Sequence, residues 1–374
     1  MIRLNRQLVA QIEWFLPVVT CALCALGLAT VHSATYDPAH GVDPLVTRQL
    51  IWLGIGLAGM VVVLTLDYRT LERFAYFLYG LVVLTLIIVL ASGVVGGGAR
   101  RWLRIGPLTV QPSEPMKIVL ILVLARYFSR AQLAPQGMRL RSLTIPLVLT
   151  AVPAAVILMQ PDLGTVGVLL VVFATMAFVA GARLTPFVTV FALALASGPL
   201  LWAYLLKPYQ QRRIMSYFNP EGDPLGAGYH IIQSRIAVGS GQFWGKGFLQ
   251  GTQNQLNFLP EQHTDFIFSV FAEEWGFAGA IVLLILYFAL VIRGFVIANR
   301  ARDTFGALLC LGVAGMIFWG VVVNVGMTTG LLPVVGIPLP LFSYGGSSLV
   351  SLFVGIGLLM NVQMRRFTFV RGSI

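Results

Sequence analysis

The stretch Pro260–Gly276, with the sequence PEQHTDFIFSVFAEEWG, separates a polar segment before it from an apolar run after it. Asp265 stands at this boundary and is followed at once by the apolar residues Phe266, Ile267 and Phe268. We therefore expect Asp265 to lie where a membrane helix meets water. A carboxylate in that position either caps the helix or carries chemistry.

The composition of the chain excludes a soluble globular protein. Hydrophobic residues make up 57% of the 374 residues and charged residues 10%, and the mean hydropathy is +0.86. Such a chain has room for about ten spans of about 20 residues each. The net charge of +11 comes mainly from Lys and Arg in short loops. It therefore indicates membrane topology and contact with anionic lipid rather than binding of nucleic acid.

The hydrophobic runs predict an all-α polytopic membrane protein with about ten transmembrane helices. Residues 1–374 form one integral membrane domain in this interpretation, with a large extracytoplasmic loop at 207–264 and short re-entrant elements. Most Lys and Arg residues then fall on the side of both chain termini, which the positive-inside rule assigns to the cytoplasm. The predicted spans are 14–32, 47–66, 74–92, 115–129, 143–160, 163–181, 185–206, 266–292, 305–329 and 344–363.

The loop at 207–264 is rich in Gly, Gln and Asn, which favours a compact loop against the membrane. Its part from Tyr229 to Val238 predicts an amphipathic helix. In that helix Ile231, Ile232 and Ile236 would face lipid, and Gln233 and Arg235 would face water.

The segment Gly96–Glu114, GGGARRWLRIGPLTVQPSE, is an exception to the topology rule because it places three Arg residues on the outer side. Its Gly triplet, Pro107 and Pro112 predict irregular backbone and a re-entrant turn. Guanidinium groups such as those of Arg101 and Arg104 match phosphate bidentately. These residues either bind a phosphate of the substrate or anchor the protein to lipid headgroups.

Charged residues at the predicted helix ends are candidate site residues. Glu114 and Lys117 are three residues apart and share one face of a helix. The pair either only neutralises itself in the membrane or holds a phosphate or sugar in a polar cavity. Asp162, in the turn QPDLG at 160–164, either caps the next helix or contributes to the site.

The last outer connection, Thr328–Leu349, is uncharged and is interrupted by several Pro and Gly residues. Such an apolar, broken stretch is typical of a re-entrant element that lines a cavity. Ser343, Ser347 and Ser348 in it can donate hydrogen bonds to a substrate. The sequence offers no evident His partner for these serines, so nucleophilic serine catalysis is not expected.

Four motifs follow one another in a family-specific order and spacing along nearly the whole chain. They are QPSEPMK at 111–117, QPDLG at 160–164, HTDFIFSVFAEE at 263–274 and LFSYGGSSL at 341–349. On these motifs the chain resembles the SEDS family, named for shape, elongation, division and sporulation. The segment 231–266 resembles the elongation branch of that family more than the division branch.

The resemblance implies a multi-pass protein of the bacterial inner membrane, with cytoplasmic termini, that polymerises lipid II into glycan strands for lateral cell-wall elongation. It also implies a class B penicillin-binding protein as the crosslinking partner. By motif, Asp265 is the essential catalytic carboxylate. Pro115 replaces a bulky apolar residue of the family pattern, but proline is tolerated in the first turn of a helix. The predicted substrate-binding residues are Glu114, Lys117, Arg101, Arg104, Gln111, Asp162, His263, Ser343 and Ser347.

In the implied reaction the 4-hydroxyl of a GlcNAc unit attacks the anomeric carbon of the growing chain, and undecaprenyl pyrophosphate leaves. A sugar hydroxyl is a weak nucleophile, so Asp265 is predicted to act as its general base. Lys117, the Arg residues at 100–104 or a divalent cation (Mg²⁺ or Mn²⁺) would offset the charge of the leaving group. The sequence contains no dedicated metal cage.

Two other functions fit a polar site inside a membrane protein. A lipid II flippase would line its path with the same residues, but it should tolerate Asp265→Asn in part, whereas a general base should not. A non-catalytic scaffold of the elongation machinery would leave the Glu114–Lys117 pair unexplained.

Overall fold

The computed structural model shows a bundle of long apolar helices. It describes residues 13–36, 43–96, 99–106, 108–131, 140–183, 208–222, 226–256, 258 and 261–366, with scattered positions between 185 and 204. In chain order, the helices bounded within these residues are α1 (Phe15–Ala34), α2 (Pro44–Thr65), α3 (Tyr68–Ser92), α4 (Ser113–Arg130), α5 (Leu140–Met159), α6 (Leu163–Val179), α7 (Pro208–Phe218), α8 (Ala227–Ser240), α9 (Thr252–Gln255), α10 (Ile267–Asn299), α11 (Thr304–Thr328) and α12 (Gly346–Arg365).

The helices confirm the prediction of a polytopic membrane protein. Within the described residues, seven helices are long and apolar enough to cross a membrane, namely α1, α2, α3, α5, α10, α11 and α12. Helix α4, which carries charges at both ends, and the shorter α6 also coincide with predicted spans. The predicted span at 185–206 lies largely outside the described residues, so the count of ten stays a prediction.

Helix α4 lies at the centre of the bundle, where it packs against α3, α6, α11 and α12. Residues 118–125 of this helix are all buried, because apolar side chains cover every side of it. Helices α2 and α12 pack along each other beside it. Polar groups in the first turn of α4 are therefore enclosed by protein rather than by lipid.

The segment after α3 forms an antiparallel sheet, so the prediction of irregular backbone there was wrong. Strands β1 (Val94–Gly96), β2 (Ala99–Ile105) and β3 (Leu108–Val110) pair in the order β1–β2–β3. Two residues separate β2 from β3, and the first of them, Gly106, has a φ of +62°. A two-residue connection with a glycine at positive φ is typical of a tight hairpin turn. We call β1–β3 the hairpin sheet.

Helix α10 is broken at Gly276, whose φ is +65° and ψ −166°. Its 33 residues would extend about 50 Å as one straight helix, well beyond the apolar core of about 30 Å. The loop 241–247 inserts at the break and pairs with the backbone groups that the helix leaves open. These bonds are Lys246 N to Glu273 O (3.0 Å), Gly247 N to Glu274 O (3.0 Å), Phe277 N to Gln242 O (2.9 Å) and Ala278 N to Phe243 O (3.0 Å).

Buried carboxylates next to the break hold this loop in place. Glu273, which has no exposed surface, accepts hydrogen bonds from Lys246 Nζ (2.6 Å), Thr252 Oγ1 (3.1 Å) and the Gln253 backbone N–H (3.1 Å). Glu274 accepts a hydrogen bond from the Ser33 hydroxyl of α1. Both carboxylates thus have a structural role.

Helix α8 confirms a helical segment in the large loop but not its predicted orientation. Ile231 is buried and Ile236 is exposed, so the two side chains do not share a lipid-facing surface. Ser234 lies on the buried side, where its hydroxyl bonds to the Ser269 hydroxyl (2.7 Å) and to the carbonyl of Thr328 (2.6 Å). The buried face of α8 therefore contacts α10 and α11.

The connection 329–345, which we call the re-entrant segment, penetrates the bundle without forming a helix. Gly27 in the middle of α1 faces it, because a Cβ added at Gly27 would lie 2.5 Å from the carbonyl oxygen of Phe342. From the middle of α10, Tyr287 donates a hydrogen bond of 2.5 Å to the Pro340 carbonyl. This depth agrees with the predicted re-entrant element.

The backbone groups of the re-entrant segment are paired by polar side chains of the bundle, as non-helical backbone at membrane depth requires. Asn324 of α11 donates to the carbonyl of Ile337 (2.7 Å), and Gln49 of α2 donates to that of Ser343 (3.2 Å). The Ser343 hydroxyl in turn accepts from the N–H of Leu339 (2.8 Å). Buried polar residues on α2 and α11 therefore set the path of the segment.

We expect Gly276→Ala to lower the free energy of unfolding by at least about 1–3 kcal/mol, because a left-handed residue would gain a Cβ. That Cβ would lie 2.3 Å from the Gly245 nitrogen. In the control Gly54→Ala, an added Cβ meets no heavy atom within 4 Å, so this variant should be neutral or slightly stabilised. Thermal unfolding of the purified proteins in detergent measures both changes, and equal shifts would contradict the account of the break.

Candidate active site

A cavity of about 290 Å³ opens where the hairpin sheet, α4, α6, the start of α10 and the re-entrant segment meet. We call it the charged cavity. Among the described residues, it is lined by Arg101, Trp102, Gln111, Glu114, Lys117, Asp162, Thr165, Val168, Glu261, Thr264, Asp265, Gly336, Ile337, Pro338, Tyr344, Gly345, Ser347 and Ser348.

Helices α4, α6, α10 and α12 all begin at the charged cavity, since residues at or next to their first turns line it. Among these are Gln111 and Asp162 before α4 and α6, Asp265 before α10, and Ser347 in the first turn of α12. The N-terminus of a helix carries a partial positive charge and unpaired N–H groups. The backbone thereby adds to the cavity a positive potential that favours anionic groups.

Glu114 and Lys117 form an ion pair on the cavity wall. The Lys117 Nζ atom lies 2.8 Å from each oxygen of the Glu114 carboxylate. Their side chains are 7% and 11% exposed, respectively, and the exposed part faces the cavity. The two charges therefore neutralise each other, as the structural interpretation expects. The pair also lines the charged cavity, as the functional interpretation expects.

Asp162 combines the two roles that its sequence position left open. It caps α6 by accepting hydrogen bonds from the Thr165 backbone N–H (3.1 Å) and hydroxyl (2.9 Å). Its carboxylate also accepts from the side-chain amide of Gln111 (3.2 Å), while the Gln111 backbone N–H donates to the Ser347 hydroxyl (2.9 Å). These bonds join the starts of α4, α6 and α12 around the cavity.

Arg101 connects the hairpin sheet to the turn that precedes α6. Its guanidinium donates to the backbone carbonyls of Gln160 (2.8 Å) and Pro161. Because these bonds occupy part of its donor fork, only the remaining N–H groups can bind a ligand in the cavity.

Asp265 lines the cavity two residues before the first residue of α10 and is partly exposed. Its carboxylate approaches the backbone of Gly336 in the re-entrant segment, where an added Cβ would lie 3.2 Å from Asp265 Oδ2. Asp265 directly precedes the N-cap residue of α10, Phe266. It is one of the residues that line the cavity.

The backbone of residues 263–265 is held by three successive hydrogen bonds. The N–H of Tyr344 donates to the carbonyl of His263 (2.9 Å), and the hydroxyl of Ser343 to that of Thr264 (2.6 Å). The side-chain amide of Asn324 donates to the carbonyl of Asp265 (2.9 Å). The residues before α10 thus have a fixed position relative to the re-entrant segment and α11.

Three residues predicted to bind substrate lie outside the cavity lining. Arg104 is exposed and donates to the carbonyl of Gly106 (3.4 Å), because residues three apart on a strand point to opposite faces. The His263 ring packs edge-on against Tyr344, with 5.7 Å between the ring centroids. Ser343 is buried, and its hydroxyl is engaged by Thr264 and Leu339.

Several lining residues received no role from the sequence. Trp102 stands between Arg residues in a segment for which the sequence predicted irregular backbone rather than a strand. Glu261 and Thr264 stand among polar residues just before Asp265, and no motif distinguishes them there. Gly336 has a φ of +75°, and the motif GIPLP around it was the available signal for a special backbone conformation.

The donor atoms in the cavity do not form an all-protein metal cage. Within the described residues, no group of three or more His, Cys, Asp or Glu side chains is arranged to hold a metal ion. The carboxylates that line the cavity nevertheless outnumber its cationic side chains. Such a set fits a Mg²⁺ ion that is bound by one or two carboxylates together with phosphates of a substrate.

The fold and the cavity define a polytopic membrane protein with a charged site at the N-terminal ends of several of its helices. The chain belongs to the family of cell cycle proteins that includes FtsW, RodA and SpoVE, since the model of that family matches residues 14–367. This confirms the resemblance inferred from the four motifs.

Relatives with known names or structures resemble the chain over nearly its whole length. It is 43% identical over 348 residues to the peptidoglycan glycosyltransferase MrdB of Escherichia coli (strain K12), covering 93% of each chain. It matches a chain of a peptidoglycan synthase complex that coordinates polymerization and crosslinking, with a TM-score of 0.82, 36% identity and coverage of 96% and 99%. The rod shape determining protein RodA of Thermus thermophilus matches with a TM-score of 0.71, 34% identity and coverage of 96% and 98%.

The contribution of the ion pair to stability can be tested with single and double variants. We expect Glu114→Gln or Lys117→Met alone to lower the free energy of unfolding by up to about 3–5 kcal/mol, because each leaves a charge without its partner. The double variant should return close to the stability of the wild type. Thermal unfolding of the four proteins measures this, and a double variant less stable than both single variants would contradict the pairing.

Proposed function

We propose that this protein is a peptidoglycan glycosyltransferase that polymerises lipid II into glycan strands, with undecaprenyl pyrophosphate as the leaving group. The observation that carries the proposal is that Asp265 and the Glu114–Lys117 pair line one cavity. The name and 43% identity of the Escherichia coli relative support the same activity.

The charged cavity has the properties that a lipid-borne, anionic sugar substrate requires. It lies among membrane helices, so a polyprenyl chain can stay in lipid while its head group enters the protein. The helix N-termini and the free N–H groups of Arg101 favour phosphate there. Trp102 and the hydroxyl groups of Thr264 and Ser348 line the same space and suit sugar rings.

In the proposed reaction, the 4-hydroxyl of the acceptor sugar attacks the anomeric carbon of the donor. Asp265 takes the proton of that hydroxyl as the new glycosidic bond forms and the bond to pyrophosphate breaks. One carboxylate is sufficient for an inverting transfer, because the pyrophosphate departs without being protonated. A positioned general base contributes typically about 10²–10⁴-fold to the rate.

Cationic groups that line the same cavity would offset the charge that develops on the pyrophosphate. Lys117 is placed to do this while Glu114 orients it, and Arg101 adds its remaining donors. A divalent cation shared between the substrate phosphates and a cavity carboxylate such as Glu261 or Asp265 would supply further neutralisation when bound.

The cellular setting is part of the same proposal. The protein lies in the bacterial inner membrane with cytoplasmic termini, and it acts in lateral wall elongation. Its partner is a class B penicillin-binding protein that crosslinks the new strands. The match to a synthase complex that coordinates polymerization and crosslinking supports such a partner.

We expect Asp265→Asn to reduce polymerisation of labelled lipid II by about 10²–10⁴-fold, because the amide cannot accept the proton of the attacking hydroxyl. Asp303→Asn is the matched control. Asp303 caps α11 at the far end of the bundle, where it accepts from the Gly306 N–H (2.7 Å), so its variant should keep near wild-type activity. Gel analysis of strands made by the purified proteins, with and without the partner, gives both rates.

A flippase would give a different result in the same preparation. It would scramble lipid II across liposomes and would produce no glycan strands from the wild type. Partial activity of Asp265→Asn in that transport assay would then replace the proposed function with translocation.

A further inference from the structure

We propose that Asn324 is a positioning residue that fixes the Asp265 carboxylate against the wall of the charged cavity. The proposal rests on the catalytic function of Asp265 and goes beyond it, because Asn324 lies outside the cavity lining. Asn324 would act only through the backbone that it holds.

The contacts of Asn324 define the position and orientation of its side-chain amide. The residue lies in α11 and has no exposed surface. Its amide nitrogen donates both hydrogens to backbone carbonyls, one to Asp265 (2.9 Å) and one to Ile337 (2.7 Å). Two acceptors at one end of the amide identify that end as nitrogen.

These two carbonyls belong to two different segments of the chain that meet at the cavity. Asp265 lies two residues before α10, whereas Ile337 follows Gly336 in the re-entrant segment, and all three line the cavity. The Asp265 carboxylate lies beside the segment, since an added Cβ at Gly336 would lie 3.2 Å from Asp265 Oδ2. One amide therefore ties the backbone of Asp265 to the segment next to which its carboxylate lies.

The acceptor end of the same amide indicates that this position requires Asn for its donor end. Within the described residues, Asn324 Oδ1 is buried and has no hydrogen-bond partner. Burying an unpaired carbonyl is unfavourable. A merely space-filling position would be occupied better by Leu, which has nearly the same shape and no polar atoms.

Asn361 provides a matched control elsewhere in the chain. It is also fully buried, and its side-chain amide likewise donates to two backbone carbonyls, those of Val63 (2.6 Å) and Leu66 (2.6 Å). These contacts join α12 to the end of α2, away from the cavity. The same substitution removes two such donor bonds at each position, and at Asn361 also the bond that its Oδ1 accepts from Arg365 Nε (3.0 Å). Only the Asn324 pair reaches Asp265.

The experiment compares Asn324→Leu with Asn361→Leu in the full-length protein together with its partner. We measure thermal stability, binding of lipid II and the maximal rate of polymerisation for each. Asn324→Leu should reduce the maximal rate by at least about tenfold, because a misplacement of about 1 Å at a reacting group can cost 10²-fold. Lipid II affinity should change by less than about twofold, and Asn361→Leu should keep both values.

A second variant keeps the test decisive if Asn324→Leu does not fold. Gly336→Ala would add a Cβ 3.2 Å from Asp265 Oδ2, at a residue whose φ is +75°. It should reduce the maximal rate in the same way while binding persists.

The outcomes distinguish this proposal from the proposed function. If the wild type makes no strands under any condition, the glycosyltransferase function itself fails. If the wild type is active and Asn324→Leu loses rate no more than Asn361→Leu, the positioning role is overturned. Loss of lipid II affinity at an unchanged maximal rate would overturn it as well.

Discussion

The structure depends on one constraint, which is that non-helical backbone inside a membrane must find its hydrogen bonds in the protein. The re-entrant segment 329–345 is such backbone. Gln49, Ser343 and Asn324 supply the bonds. Ser343 and Asn324 also hold the carbonyls of Thr264 and Asp265. The requirement to satisfy the segment and the placement of the candidate catalytic carboxylate are therefore met by the same side chains.

Charge in the cavity is tolerated because nearly every group described there has a partner that belongs to another turn or element. Lys117 neutralises Glu114, Arg101 holds the turn before α6, and Asp162 both caps α6 and accepts from Gln111. An isolated charge at membrane depth would cost several kcal/mol. The cavity thus carries a dense set of ionisable groups without a large penalty, and a substrate can exchange its own charges for some of these contacts.

The sequence determined the class of the protein and the centre of its site. Apolar runs of about 20 residues can hardly form anything but membrane helices, so the spans follow from composition. Ionisable residues inside such runs are costly and therefore informative. For that reason Asp265, Glu114, Lys117 and Asp162 could be selected as candidates without a structure, and all of them line one cavity.

Only the tertiary structure decided which other residues take part. Arg101 and Arg104 are equivalent in sequence, but the strand β2 directs only Arg101 toward the cavity. Ser343 has the chemistry of a ligand-binding group, yet its hydroxyl holds backbone. Asn324 lies 59 positions from Asp265 in an otherwise apolar helix. Long-range contacts of this kind depend on how helices pack, and a pattern of residue types along the chain does not contain that information.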